Sequence, residues 1–65
     1  MKVVYDQGVD VLHIVFNTAE IEESDEDKPG VIMDYDSNGN LVALEVLDAS
    51  KRIEDPRALD YAVTG

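Results

Sequence analysis

Cysteine is absent from the 65 residues, so no disulfide can staple the fold. Structural zinc sites built on thiolates are excluded with it, because His13 is the only soft ligand in the chain. Basic residues are scarce as well. Five Lys and Arg stand against fifteen Asp and Glu, a net charge of −10. A surface so acidic repels phosphate backbones and anionic headgroups, which argues against nucleic acid and membrane surfaces as partners. No apolar run approaches the ~20 residues of a membrane-spanning helix. Met1-Lys2-Val3-Val4-Tyr5-Asp6 does not open a signal-peptide apolar region, so the cytoplasm is the expected location. Gly30 and Gly39 are isolated turn glycines, and no glycine-rich phosphate loop precedes a helix. A chain of this length buries only roughly 60% of its unfolded surface. With disulfides excluded, stability is left to self-association, to a partner, or to a thin but well-formed core.

What is present is patterned. The apolar fraction is 45%, and it is concentrated in segments with strand chemistry rather than spread as in a disordered acidic tail. Lys2 to Tyr5 reads as a first strand, followed by the turn Asp6-Gln7-Gly8-Val9-Asp10 with Gly8 able to take positive φ. Val11 to Phe16 follows and is apolar on both faces, with Leu12, Ile14 and Phe16 alternating against Val11, His13 and Val15. Residues 17–30 read as a solvated acidic loop, since six of the eight residues from Glu20 to Asp27 are acidic. In that loop Ile21 is either an anchor or the mark of a short edge strand in Ala19 to Glu23. Val31 to Asp34 and Leu41 to Leu47 form a hairpin pair around Asp36-Ser37-Asn38-Gly39-Asn40. In the last strand Val42, Leu44 and Val46 make one apolar row, while Leu41, Ala43, Glu45 and Leu47 make a mixed one. Beyond Asp48 the period changes. Asp55 suits an N-cap, Pro56 the first turn, and Leu59, Ala62 and Val63 share a helical face, which predicts a short C-terminal helix over residues 56–63. Asp48 to Ile53 reads as a separate helical turn capped by Asp48. The expectation is one small α+β domain, mainly β, covering residues 1–65: a four-stranded antiparallel meander with a short C-terminal helix.

Asp34-x-Asp36-x-Asn38-Gly39-x5-Glu45 satisfies the EF-hand calcium pattern, in which alternate oxygens and a closing Glu wrap the ion. Both flanks read as strands, with Pro29-Gly30 close ahead, so the preferred reading is an Asn-Gly hairpin and no metal site is expected. His13 lies between Val11 and Val15, where a lone histidine is more often a packed or edge residue than a base. Ser24, Ser37 and Ser50 sit in polar or turn stretches, and nothing places any of them beside His13. No pocket of a few hundred cubic ångströms is expected from so short a chain. No catalytic or cofactor-binding residue is assigned. Glu20, Glu22, Glu23, Asp25, Glu26 and Asp27 are the candidate partner-binding residues, because a dense acidic surface steers basic proteins toward it.

Val4-Tyr5-Asp6, Asp10-Val11-Leu12-His13-Ile14, Pro29-Gly30-Val31-Ile32-Met33-Asp34-Tyr35-Asp36, Gly39-Asn40-Leu41-Val42 and Glu45-Val46-Leu47-Asp48-Ala49-Ser50 occur in order along the chain. Together they resemble the prokaryotic domain-of-unknown-function family 2283, from Lys2 to about Ile53. At position 7, where an acidic residue or proline is usual, this chain has Gln7, a departure confined to the first turn. The resemblance implies a small β-rich fold with a C-terminal helix and no established activity. It also implies, for many members, a gene beside a small basic protein of a toxin-like family, and hence an antitoxin-like role. The expected function is a non-enzymatic protein–protein interaction module, in its most concrete form a neutraliser of a small basic partner. The alternative is a homo-oligomeric or calcium-responsive β-module. Homo-oligomerisation is expected in either case, because the strands offer apolar residues on both sheet faces.

Overall fold

The computed structural model describes residues 1–65. Five strands, β1 (Lys2–Asp6), β2 (Val11–Val15), β3 (Glu23–Lys28), β4 (Val31–Tyr35) and β5 (Leu41–Leu47), form one sheet, and a single-turn helix α1 (Ala49–Arg52) follows them. The sheet order is β1-β2-β5-β4-β3, and every neighbouring pair is antiparallel. The expected mainly-β antiparallel sheet is present, with two corrections to its architecture. There are five strands, not four, and the order is not that of a simple meander, because β2 pairs with β5.

The physical reason lies in β5, the strand whose apolar row and mixed row both need covering. Placing it centrally gives it neighbours on both sides, with Leu12, Ile14 and Ala43 facing partners of like character across β2 and β5. The β1–β2 hairpin then docks beside the β3–β4–β5 unit. The connection from Phe16 to Glu22 crosses to the far edge, three strand spacings or about 15 Å away, within reach of seven residues. Asn17 fixes its start by donating from Nδ2 to the Leu41 carbonyl at 3.2 Å and accepting the Ala19 N–H at Oδ1.

The fifth strand comes from the acidic stretch. Residues 17–30 are not one loop, since Glu23–Lys28 forms β3, with Glu22 N–H donating to the Tyr35 carbonyl just before it. Nor does an edge strand form at Ala19 to Glu23, and Ile21 is exposed rather than an anchor. Pro29-Gly30 makes the return so tight that the outer edge of β4 is paired by the residues just before it. All six residues of β3 are exposed, so their charges stay in water while the backbone is satisfied. A register shift lies between Asp25 and Lys28, and there the Glu26 carboxylate accepts the Gly30 N–H at 2.8 Å.

The expected helix over residues 56–63 is absent. Asp55 does start a turn, accepting the Arg57 N–H at Oδ1 and the Ala58 N–H at its carbonyl, but no further turn follows. So short a helix is marginal in water without a surface to dock on. Instead Pro56, Arg57 and Leu59 run along β1, lining an open cleft with Val3 and Tyr5, and Leu59, Tyr61 and Val63 stay largely exposed. Only Val42, Ala43 and Ala49 are buried. No helix is long and apolar enough to cross a membrane.

Candidate functional site

Paired residues on adjacent strands share a sheet face, so the register assigns each side chain to one of two surfaces. On one face Val3, Ile14, Leu44 and Met33 form an unbroken apolar row across four strands, and Tyr5, Leu12, Val46 and Val31 pack beside it. On this face the charges are confined to its borders: Glu23, Asp25 and Lys28 on β3, opposite Tyr35, Met33 and Val31, and Arg57, ion-paired with Asp55, beside β1. On the other face every row is interrupted by charge or polarity. Val4, His13, Glu45 and Ile32 form one row, and Lys2, Val15, Ala43, Asp34 and Ser24 another. The face expected to be apolar along β5 is therefore continuous across the sheet, and apart from Val42 its members are only half-buried.

The Asp34–Glu45 segment is a hairpin. Asp36 accepts the N–H groups of Asn38 and Asn40 at Oδ1, both at 2.9 Å, and Gly39 takes φ 79° to close the turn. Asp34 accepts the Ser24 hydroxyl at 2.6 Å. Glu45 stands inside β5 opposite Ile32 and His13, away from the turn, so it does not close a shell with Asp36 and Asn38. No cluster of three or more His, Cys, Asp or Glu side chains is placed to hold a metal ion. His13 pairs with Val4 and Glu45 and lines a shallow cleft of about 240 Å³ with Asp6, Val9 and Val11. The largest cleft, about 620 Å³, is the open one between β1 and residues 56–59, which corrects the expectation that no space of this size exists.

Glu23, Asp25, Glu26 and Asp27 lie on β3, and Glu20 and Glu22 lead into it, all exposed. The structure thus brings four of the six candidate residues onto one sheet edge. The single ion pair in the molecule is the exposed Arg57 Nε–Asp55 Oδ1 contact at 3.2 Å, so the acidic edge has no basic partner within the chain.

One cluster escaped the sequence reading. Asp10 adopts φ 57°, not Gly8, and its carboxylate gathers the Tyr5 hydroxyl at 2.6 Å, the Ser50 N–H at 2.9 Å and the Ser50 hydroxyl at 2.7 Å. Its carbonyl accepts the Ala49 N–H at 3.0 Å. Asp48, expected as the cap of α1, makes no side-chain cap bond and sits at φ 52°; the capping carboxylate comes from Asp10, 40 residues before the Ser50 N–H that it accepts. The Tyr5 and Ser50 hydrogen bonds hold the Asp10 carboxyl below its usual range, and the bond to Asp10 raises the Tyr5 phenol above its own. A carboxylate stabilised in this way is a weak base, and Ser50 has no histidine behind it, so the cluster serves as a latch between the β1–β2 turn and α1. Tyr5 and His13 are on opposite faces. The only sequence signal for the latch is the recurrence of Tyr5, Asp10 and Ser50 among the segments that carry the family resemblance.

Comparison with curated proteins and with solved structures finds no significant match. The family model described as Protein of unknown function (DUF2283) matches residues 2–50, a span that holds all five strands and every member of the Tyr5–Asp10–Ser50 latch, and the chain belongs to that family.

Proposed function

We propose that the chain is a non-enzymatic protein–protein interaction module whose apolar sheet face supplies the buried contact and whose acidic β3 edge steers the approach of basic surfaces. The observation that carries this reading is the row Val3, Ile14, Leu44, Met33, against which the chain sets only its tail, beside Val3 at the β1 edge, and no second sheet or long helix. A stable domain is normally at least two layers deep, and a single turn of helix is too small to be the second. The most concrete form is an antitoxin-like neutraliser of a small basic protein. The unpaired carboxylates along Glu20 to Asp27 favour it, since rim charge accelerates encounter while buried apolar contacts set the dissociation rate.

Surface plasmon resonance at two salt concentrations, with the product of the adjacent gene as analyte, tests this. Replacing Glu22, Glu23, Asp25 and Glu26 by their amides is expected to slow association and flatten its salt dependence, with the dissociation rate unchanged. An analyte that fails to bind at about micromolar concentration, or an amide variant that associates at the wild-type rate, contradicts the neutraliser.

A further inference from the structure

We infer that the apolar sheet face is filled by a second copy of this chain, packed face to face as a two-layer sandwich. The inference rests on the reading of this face as a binding surface and names its occupant.

Two observations point to a second copy. First, the molecule is too open for its mass. It exposes 4998 Å², whereas a compact monomer of 7.2 kDa exposes roughly 4,100 Å². The excess, about 900 Å², is close to the ~800 Å² that each partner contributes to a stable interface. The radius of gyration agrees, at 12.7 Å against roughly 11 Å for a compact chain of this length. Second, the centre of the face carries no charge, so a chain of net charge −10 meets its own copy there without opposing carboxylates.

Sedimentation equilibrium of the full chain between about 1 and 100 μM, in about 0.15 M salt, tests the inference. The expected mass at the upper end is twice 7.2 kDa. Leu44→Asp, which puts a carboxylate in the middle of the row, is expected to raise the dissociation constant at least ~100-fold. Val4→Asp, on the opposite face, is expected to leave it within about threefold of wild type. A wild-type monomer at about 100 μM overturns the inference whether or not Leu44→Asp folds. Such a monomer, if it still binds the basic partner and loses it on Leu44→Ala, would leave the interaction module standing with a different occupant on its face.

Discussion

At the scale of single residues, one carboxylate gathers three hydrogen bonds. Asp10 ties the first hairpin to α1 by accepting from Tyr5 and Ser50, and the strength of that tie depends on pH in a fixed direction. Its carboxyl is held below the ordinary 3.8, so its contribution is complete above that value and is lost as pH falls through the lower folded value. The Tyr5 phenol is raised above 10.0, so its contribution is complete below that value and is lost as pH rises through the higher folded one. Tyr5→Phe is therefore expected to lower the melting temperature at neutral pH and to move the acid unfolding midpoint upward. Circular dichroism followed from neutral to acid pH reads both, and an unchanged acid midpoint would mean that the bond does not reach the folding equilibrium. Gly30 is the second sensitive position. Its φ is 81°, and a Cβ there would stand 2.9 Å from Arg52 Nη2, whose guanidinium donates to the Pro29 carbonyl. Gly30→Ala is expected to cost about 1–2 kcal/mol by denaturant titration from backbone strain alone. Gly39→Ala, with similar φ but open space around it, is expected to cost about the same strain without disturbing Arg52.

At the scale of elements, what could be read from the sequence divides by the kind of signal. β1, β2, β4 and β5 were legible because β-branched residues alternate with period two and turn residues bound them. β3 was not, since Glu23 to Lys28 has no strand composition at all and is a strand only because the Pro29-Gly30 turn lays it against the open edge of β4. Tertiary pairing there overrides local preference, and the dense charge keeps the edge from recruiting other strands. The helix over residues 56–63 failed for the opposite reason: cap, proline and apolar spacing were all present, but no surface receives its face. The apolar face itself was legible in the row Val42, Leu44, Val46, whereas the latch was not, because Asp10 and Ser50 lie 40 positions apart and meet only when the chain between them is folded. The EF-hand spacing shows how a sequence pattern yields to its context. Asp36 spends its carboxylate on the hairpin turn, and Glu45 lies along β5 beside His13, so calcium is expected to bind no tighter than about 10 μM. Calorimetry checks this, and a tighter constant would require the β4–β5 hairpin to open.

At the scale of the whole molecule, the chain is one sheet with two unlike faces, one interrupted by charge in every row and one apolar across four strands. Fifteen acidic groups resist compaction, and the three buried residues Val42, Ala43 and Ala49 are a small core to hold against them. The account makes the second layer, and with it most of the missing burial, a matter of association. Methionine oxidation tests this most directly, because Met33 ends the apolar row on β4, whereas Met1 is 69% exposed beside Val3 at the far border of the face. Treatment with dilute peroxide at about 1 and about 100 μM protein, with the two sulfoxides resolved by mass spectrometry, reads occupancy of the face without any mutation. Met33 is expected to oxidise several-fold more slowly at the higher concentration, relative to free methionine added to both samples. A Met33 rate that is the same at both concentrations would contradict association through this face.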